Sequence, residues 1–236
     1  MLTFFVGKLL RMGIFFAFTV ALFTHTQSIG GFGKGELLLF FAIMNAIDVI
    51  VQLFWRGLSH VHELIHAGAL DTILTKPLSP LFWAAFHMFD LFDVTTLPVV
   101  GWMVWYALSS LSVQPSWEGW LAGGVLFLCG IVIAFAFNLM SAALGFWMES
   151  GYATWFLYRH FLASARIPPE FFPSLLRSVL LFVIPIFLIV AFPVRALLGE
   201  LSPILVGVAI GLTLLWFSAS VMVWNKAVRH YTSASS

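Results

Sequence analysis

Long apolar runs separated by short polar connections dominate the chain. Six of them, at about residues 9–25, 36–54, 81–111, 120–147, 175–197 and 204–224, stand out. A helix rises 1.5 Å per residue, so roughly 20 apolar residues cross the ~30 Å hydrocarbon core of a bilayer. No run alternates with the period of two that a barrel strand requires. Helices satisfy their own backbone groups in lipid. The pattern therefore predicts an all-α polytopic membrane protein with six transmembrane helices, forming one domain over residues 1–236. The third run is long enough to tilt, to kink at Pro98 or to extend past the bilayer. The fifth carries Pro185 and Pro193 inside it or at its end.

Composition strengthens this reading. Of 236 residues, 61% are hydrophobic and 9% are charged, against roughly 25% charged in an average soluble domain. Too few charges remain to cover a water-soluble surface, and the chain is far too apolar to be disordered. The net charge of +1 lacks the basic surplus that a nucleic-acid binder needs, so no nucleic-acid partner is expected. A single cysteine, Cys129, excludes an intramolecular disulfide and a cysteine-built metal site. One Lys and one Arg precede the first run, with no small-residue cleavage site. The first segment is expected to be retained rather than removed as a signal peptide.

Orientation follows from the basic residues in the connections. With the N-terminus inside, the inner side holds nine: Lys8, Arg11, Arg56, Lys76, Arg159, Arg166, Arg177, Lys226 and Arg229. The outer side then holds two, Lys34 and Arg195. The bias predicts both termini in the cytoplasm, with membrane lipid surrounding the spans. Two inner connections exceed simple turns. Residues 55–80 place Leu58, Val61 and Ile65 at helical spacing among polar residues, which predicts a short amphipathic helix stopped by Pro77 and Pro80. Residues 149–174, with Arg159, Arg166 and Pro168–Pro169, are also expected at the interface.

His62-Glu63-Leu64-Ile65-His66 fits HExxH, in which two His one turn apart hold zinc and Glu acts as base. An intramembrane zinc metalloprotease is therefore an alternative function. The extended motif wants glycine three and a histidine or aspartate six residues past the second His; Ala69 and Thr72 stand there. Asp71 lies about 140° round a helix from His66. The reading adopted is no metal and no catalytic residue, with a solvated, partner-facing helix. Gly31-Phe32-Gly33-Lys34-Gly35 lacks the first glycine and the following hydroxyl residue of a phosphate loop, so the chain carries no nucleotide site. Asp48, Asp90 and Asp93 fall inside predicted spans, where each costs roughly 2.5–3.5 kcal/mol. They are candidate substrate-path residues, or boundary and packing residues. Asp90 and Asp93 are expected on one helix face, and salt bridges at their depth are expected to be scarce. Gly207 and Gly211, and likewise Gly119 and Gly123, have GxxxG spacing, which permits close helix approach within the chain or between chains.

The middle connection adds a family resemblance. Gly68, Leu70-Asp71, Leu74 and Lys76-Pro77 resemble the "G-x-[LF]-D-x-x-L-x-[KR]-P" stretch of permease subunits of type-2 ABC exporters, in the branch of small six-span permeases. Phe146-Trp147 closes the fourth span as in that branch, and Arg229-His230-Tyr231-Thr232-Ser233-Ala234-Ser235 resembles its "R-x-Y-x-S-x-S" tail. Such permeases usually begin with a longer amphipathic helix than residues 1–10 provide. The resemblance implies an exporter permease in the bacterial plasma membrane. It further implies a separate ABC ATPase that binds ATP and Mg, and a second permease chain, identical or related. This chain itself would hold no cofactor and would not be an enzyme. The connection after the second span would be the coupling helix, about residues 59–70, with Arg56, His60, His62, Glu63, His66 and Asp71 as ATPase contacts. A non-transporting membrane scaffold is the remaining alternative.

Overall fold

The computed structural model describes residues 2–26, 28–29, 31–148 and 151–231. Among these residues the chain is helical; the only sheet-like pairing is an isolated bridge between Ile29 and Phe32. In chain order the helices are α1 (Leu2–Leu22), α2 (Lys34–Trp55), α3 (Val61–His66), α4 (Ala69–Leu74), α5 (Pro80–Phe86) and α6 (Leu91–Val94). They continue with α7 (Leu97–Ser109), α8 (Trp117–Leu144), α9 (Gly151–Ser164), α10 (Ser174–Ser178), α11 (Phe187–Leu197) and α12 (Pro203–Arg229). Four stretches of the described residues are long and apolar enough to cross a membrane: Lys34–His66, Leu91–Ser109, Trp117–Leu144 and Pro203–Arg229. A fifth is gained if the bent pair Ser174–Val183 and Phe187–Leu197 counts as one.

Local chemistry sets the boundaries. The Ser116 hydroxyl accepts the Gly119 N–H at 3.1 Å and starts α8. The Ser79 hydroxyl accepts the Phe82 N–H at 3.0 Å, with Pro80 in the first turn of α5. Asp90 caps α6 through the Phe92 N–H at 3.1 Å.

Packing gives the helix directions. Phe15 stacks on Phe41 and Arg11 faces Asp48, so α1 and α2 are antiparallel. The Asp90 N–H donates to the Leu53 carbonyl, and a Cβ on Gly35 would lie 2.5 Å from the Ser110 carbonyl oxygen, so α2 also runs against α6–α7. Gly130 sits beside Ile189 and Gly123 beside Leu197, making α8 and α11 antiparallel. Phe135–Phe217 and Phe146–Trp224 ring contacts lay α12 parallel to α8. One end of the bundle thus gathers Lys8, Trp55, Asp90, Phe146 and Trp224. The opposite end gathers Lys34, Ser110, Trp117 and Leu197.

Three sequence expectations need correction. The run at 81–111 is not one helix. It breaks into α5, α6 and α7, and Pro98 lies in the first turn of α7 instead of kinking a long span. The run at 175–197 is not straight either. Ile184, which precedes a proline, leaves the helix (φ −124°, ψ 83°), and the two halves meet at 98°. Finally, the connection after α8 packs against the bundle. Phe161 stacks on Phe137 of α8, with ring centroids 5.2 Å apart, and Tyr158, Leu162 and Ala165 are buried in the main core. Glu170 and Arg195, expected on opposite sides of the membrane, form an ion pair. A continuous helix would hold them about 37 Å apart, so the chain between them folds back.

Candidate functional site

The most polar surface sits where α2 ends. Trp55 leads into a 3-10 turn over Arg56–His60, then α3, then Gly68 at φ 66°, then α4. The expected single helix over 59–70 is therefore an elbow of two short helices. Gly68 supplies the left-handed backbone that the bend requires. Leu58 and Val61 are buried against Ala142, Ala143 and Trp224, so the start of the elbow is clamped to α8 and α12. Gly57 permits this approach: a Cβ there would lie 2.6 Å from the His87 ring and 2.7 Å from the Ala84 carbonyl oxygen.

The six expected docking residues divide into two sets. Arg56 turns inward and pairs with Asp90. The His60 ring contacts the Arg56 carbonyl through Nδ1 at 3.2 Å, and His62 Nδ1 lies 3.4 Å from the Gly145 carbonyl oxygen. Asp71 is half-buried near the second bend. Glu63 and His66 are exposed, and neither forms an ion pair or a side-chain hydrogen bond among the described residues. The His62 and His66 rings lie 4.2 Å apart. Among the described residues no group of three His, Cys, Asp or Glu side chains could hold a metal ion, so the HExxH spacing finds no third ligand in this fold.

His87, just before the α6–α7 crossing, backs the elbow. Its ring stacks on Trp83 at 4.1 Å and 6°, and Nδ1 lies 3.1 Å from the Ala84 carbonyl oxygen. Burial pushes the imidazole below its ordinary value of 6.5, against the opposing pull of backbone carbonyls. Lys76 lies over the Trp83 ring, 5.7 Å from its centroid.

The three span carboxylates are all ion-paired, against the expectation of scarce salt bridges. Lys8 bonds Asp93 at 2.5 Å, with side chains 10% and 8% exposed. Arg11 lies 3.9 Å from Asp48, and Arg56 pairs with Asp90. Lys8 and Arg11, three apart on α1, supply the missing bases. Asp90 and Asp93 do not share a helix face, because α6 begins between them; Asp90, its cap, reaches Arg56 at the end of α2, and Asp93, within it, reaches Lys8 of α1. Buried pairs of this kind are costly to break but weak net stabilisers, so they act as fasteners between elements. Sequence reading missed Lys8 and Arg11 as partners, and missed the pairing of Glu170 with Arg195. Their signal was charge inside an apolar neighbourhood, without a register to pair it.

The glycine pairs also separate. Gly119 and Gly123 face α11: a Cβ on Gly119 would lie 3.1 Å from the Ala196 carbonyl oxygen, and one on Gly123 2.8 Å from Leu197. That pair is an internal contact. A Cβ at Gly207 or Gly211 would meet nothing within 4 Å among the described residues. The tail motif is described only to Tyr231; residues 232–235 lie outside the described residues, as does Glu149 at the start of the second connection.

Apolar helices of membrane-spanning length, a broken fifth segment and an anchored polar elbow define a multi-pass helical membrane protein with an exposed handle at one end. A family model described as ABC-2 family transporter protein matches residues 9–235. The chain belongs to that family and is a membrane permease component of an ABC transporter. No curated protein and no solved structure matches the chain.

Proposed function

We propose that this permease works as one half of an exporter in the bacterial inner membrane, beside a second permease chain, identical or related. A separate ABC ATPase, carrying ATP and Mg, supplies the energy. In this reading the chain crosses six times with both termini inside. The 21-residue α1 is the first crossing, and the fifth is made by α9 together with the bent pair that ends in α11. The elbow docks on the ATPase. The observation that carries the reading is the asymmetry of the elbow: its apolar side is clamped to α8 and α12, while Glu63 and His66 are exposed and form no ion pair or side-chain hydrogen bond among the described residues. A handle must be rigid on one side and available on the other. Asp48, Asp90 and Asp93, each tied to a basic residue of α1 or of the elbow's first turn, line the seams that open when the handle moves. The direction of export rests on family likeness.

The test is co-purification with the ATPase encoded beside this chain. Glu63→Lys combined with His66→Ala is expected to lower recovery of the ATPase at least tenfold, with thermal unfolding of the permease unchanged. Full recovery of the ATPase contradicts docking at the elbow.

A further inference from the structure

The segment leading into α11 forms an arm that the rest of the chain leaves open. Gly130, halfway along α8, sits beside Ile189, and Phe187, two residues earlier, meets the Phe172 ring at 5.4 Å. Both ends of the segment 173–186 therefore lie near the middle depth of α8. Between them run α10 and a π-helical turn over Val179–Val183, which together meet α11 at 98°. The arm thus lies close to the membrane plane, near the bilayer centre. Leu180 and Leu181 lean on the main core, but no residue from Ser174 to Val183 is buried. Leu175 is 80% exposed and Phe182 52%.

Neither lipid nor water suits this surface. No side chain caps the start of α10, so the N–H groups of its first turn lack helical acceptors, and Pro173 and Ser174 beside them are exposed. At the base of the arm, Arg177 Nη2 donates to the carbonyls of Glu170 at 3.3 Å and Phe172 at 3.2 Å. Free backbone groups and a guanidinium at this depth need protein or trapped water around them, not acyl chains. Leu175, Leu176 and Phe182 are equally unsuited to water. Another polypeptide answers both needs.

We infer that the arm over Ser174–Val183 packs against a second copy of this chain inside the membrane, with Leu175 and Phe182 as its contact knobs. Position excludes a soluble partner, the ATPase included, because only a membrane-embedded chain reaches this depth. Two copies related by a two-fold axis along the membrane normal present their arms at the same depth, so the arms can meet. Ser174 and Ser178, one turn apart and both exposed, are small hydroxyl residues of the kind that lets helices approach closely in lipid. The contact deepens the permease reading, which calls for a second chain beside this one. Its test needs neither ATPase nor transport, so the two can fail separately.

The experiment co-expresses two copies of the full chain that carry different affinity tags, with the photo-crosslinker benzoylphenylalanine in place of Leu175, and irradiates native membranes. A covalent adduct bearing both tags is expected, well above the yield from the same probe at Leu128, which is 63% exposed at the same depth on α8. In a second measurement, Leu175→Gln is expected to lower co-purification of the two tagged copies about tenfold. The thermal unfolding midpoint should not change, because the side chain packs on nothing within its own chain. Adducts to lipid alone or to a different protein, or equal yields at the two positions, overturn the inference. So does full co-purification in Leu175→Gln. Copies that co-purify while the probe at position 175 captures neither leave the permease pair standing and remove the arm from it. If Leu175→Gln fails to fold, the photo-crosslink decides alone.

Discussion

Helices α8 and α12 are nearly equal in length, at 28 and 27 residues, and both are apolar throughout. Their fates differ. Half of α8's most apolar stretch is buried inside the protein, against 17% of α12's. In water such hydrophobicity would force both inward. In lipid the solvent is itself apolar, so hydrophobicity places a helix in the membrane but does not choose its neighbours. Glycine does. Gly119, Gly123 and Gly130 let α8 approach α11 closely, whereas a Cβ at Gly207 or Gly211 of α12 would meet nothing within 4 Å among the described residues.

The largest expected effect comes from filling a notch in α8. A Cβ at Gly130 would lie 2.5 Å from the Ile189 carbonyl oxygen, and backbone cannot swing aside as a flexible side chain can. Gly130→Val should therefore cost about 3 kcal/mol, read as a lower unfolding midpoint in detergent; an unchanged midpoint would mean that α8 and α11 do not meet there. A smaller effect is expected at His87, in the clamp between α5 and the elbow. Its folded pKa is depressed by burial, so below about pH 6.5 the unfolded chain takes up a proton that the folded chain refuses. Stability falls as the pH drops through that window, and His87→Phe should flatten the decline while changing little at pH 7.5. The smallest effect is expected on α12. Gly211→Val should alter the unfolding midpoint by less than about 0.5 kcal/mol equivalent. If it instead separates a permease pair on size-exclusion chromatography, the bare face of α12 is a seam between chains.

Sequence pattern exposed what depends on length, composition and local turn chemistry. The helical class, the membrane setting and the elbow between Trp55 and Pro80 all follow from apolar runs and from prolines that halt helices. Breaks inside apolar runs were less visible. Pro185 was in plain view, but a proline in a membrane helix can kink gently or turn the chain by 98°, and only packing decides. The packing of residues 156–172 against the bundle was hidden by their Arg, Glu and Pro content, which resembles a surface connection. Glu170 instead pairs with Arg195, and the carbonyls of Glu170 and Phe172 accept from Arg177. Pairing between distant charges has no sequence signature. Thus Asp48, Asp90 and Asp93 could be noticed as costly, but Lys8 and Arg11 could not be named as their partners. At the elbow, helical spacing found Val61 as an anchor. It could not foresee that Arg56, His60 and His62 turn inward while Glu63 and His66 stay exposed.

The orientation and availability of that elbow can be read directly. Cys129 is the single cysteine and is buried, so Glu63→Cys adds one reactive thiol against a silent background. A membrane-impermeant maleimide should label position 63 in inside-out vesicles and not in intact cells, and the bound ATPase should block the labelling. Labelling from the outside of intact cells, or labelling that the ATPase leaves unchanged, contradicts the account.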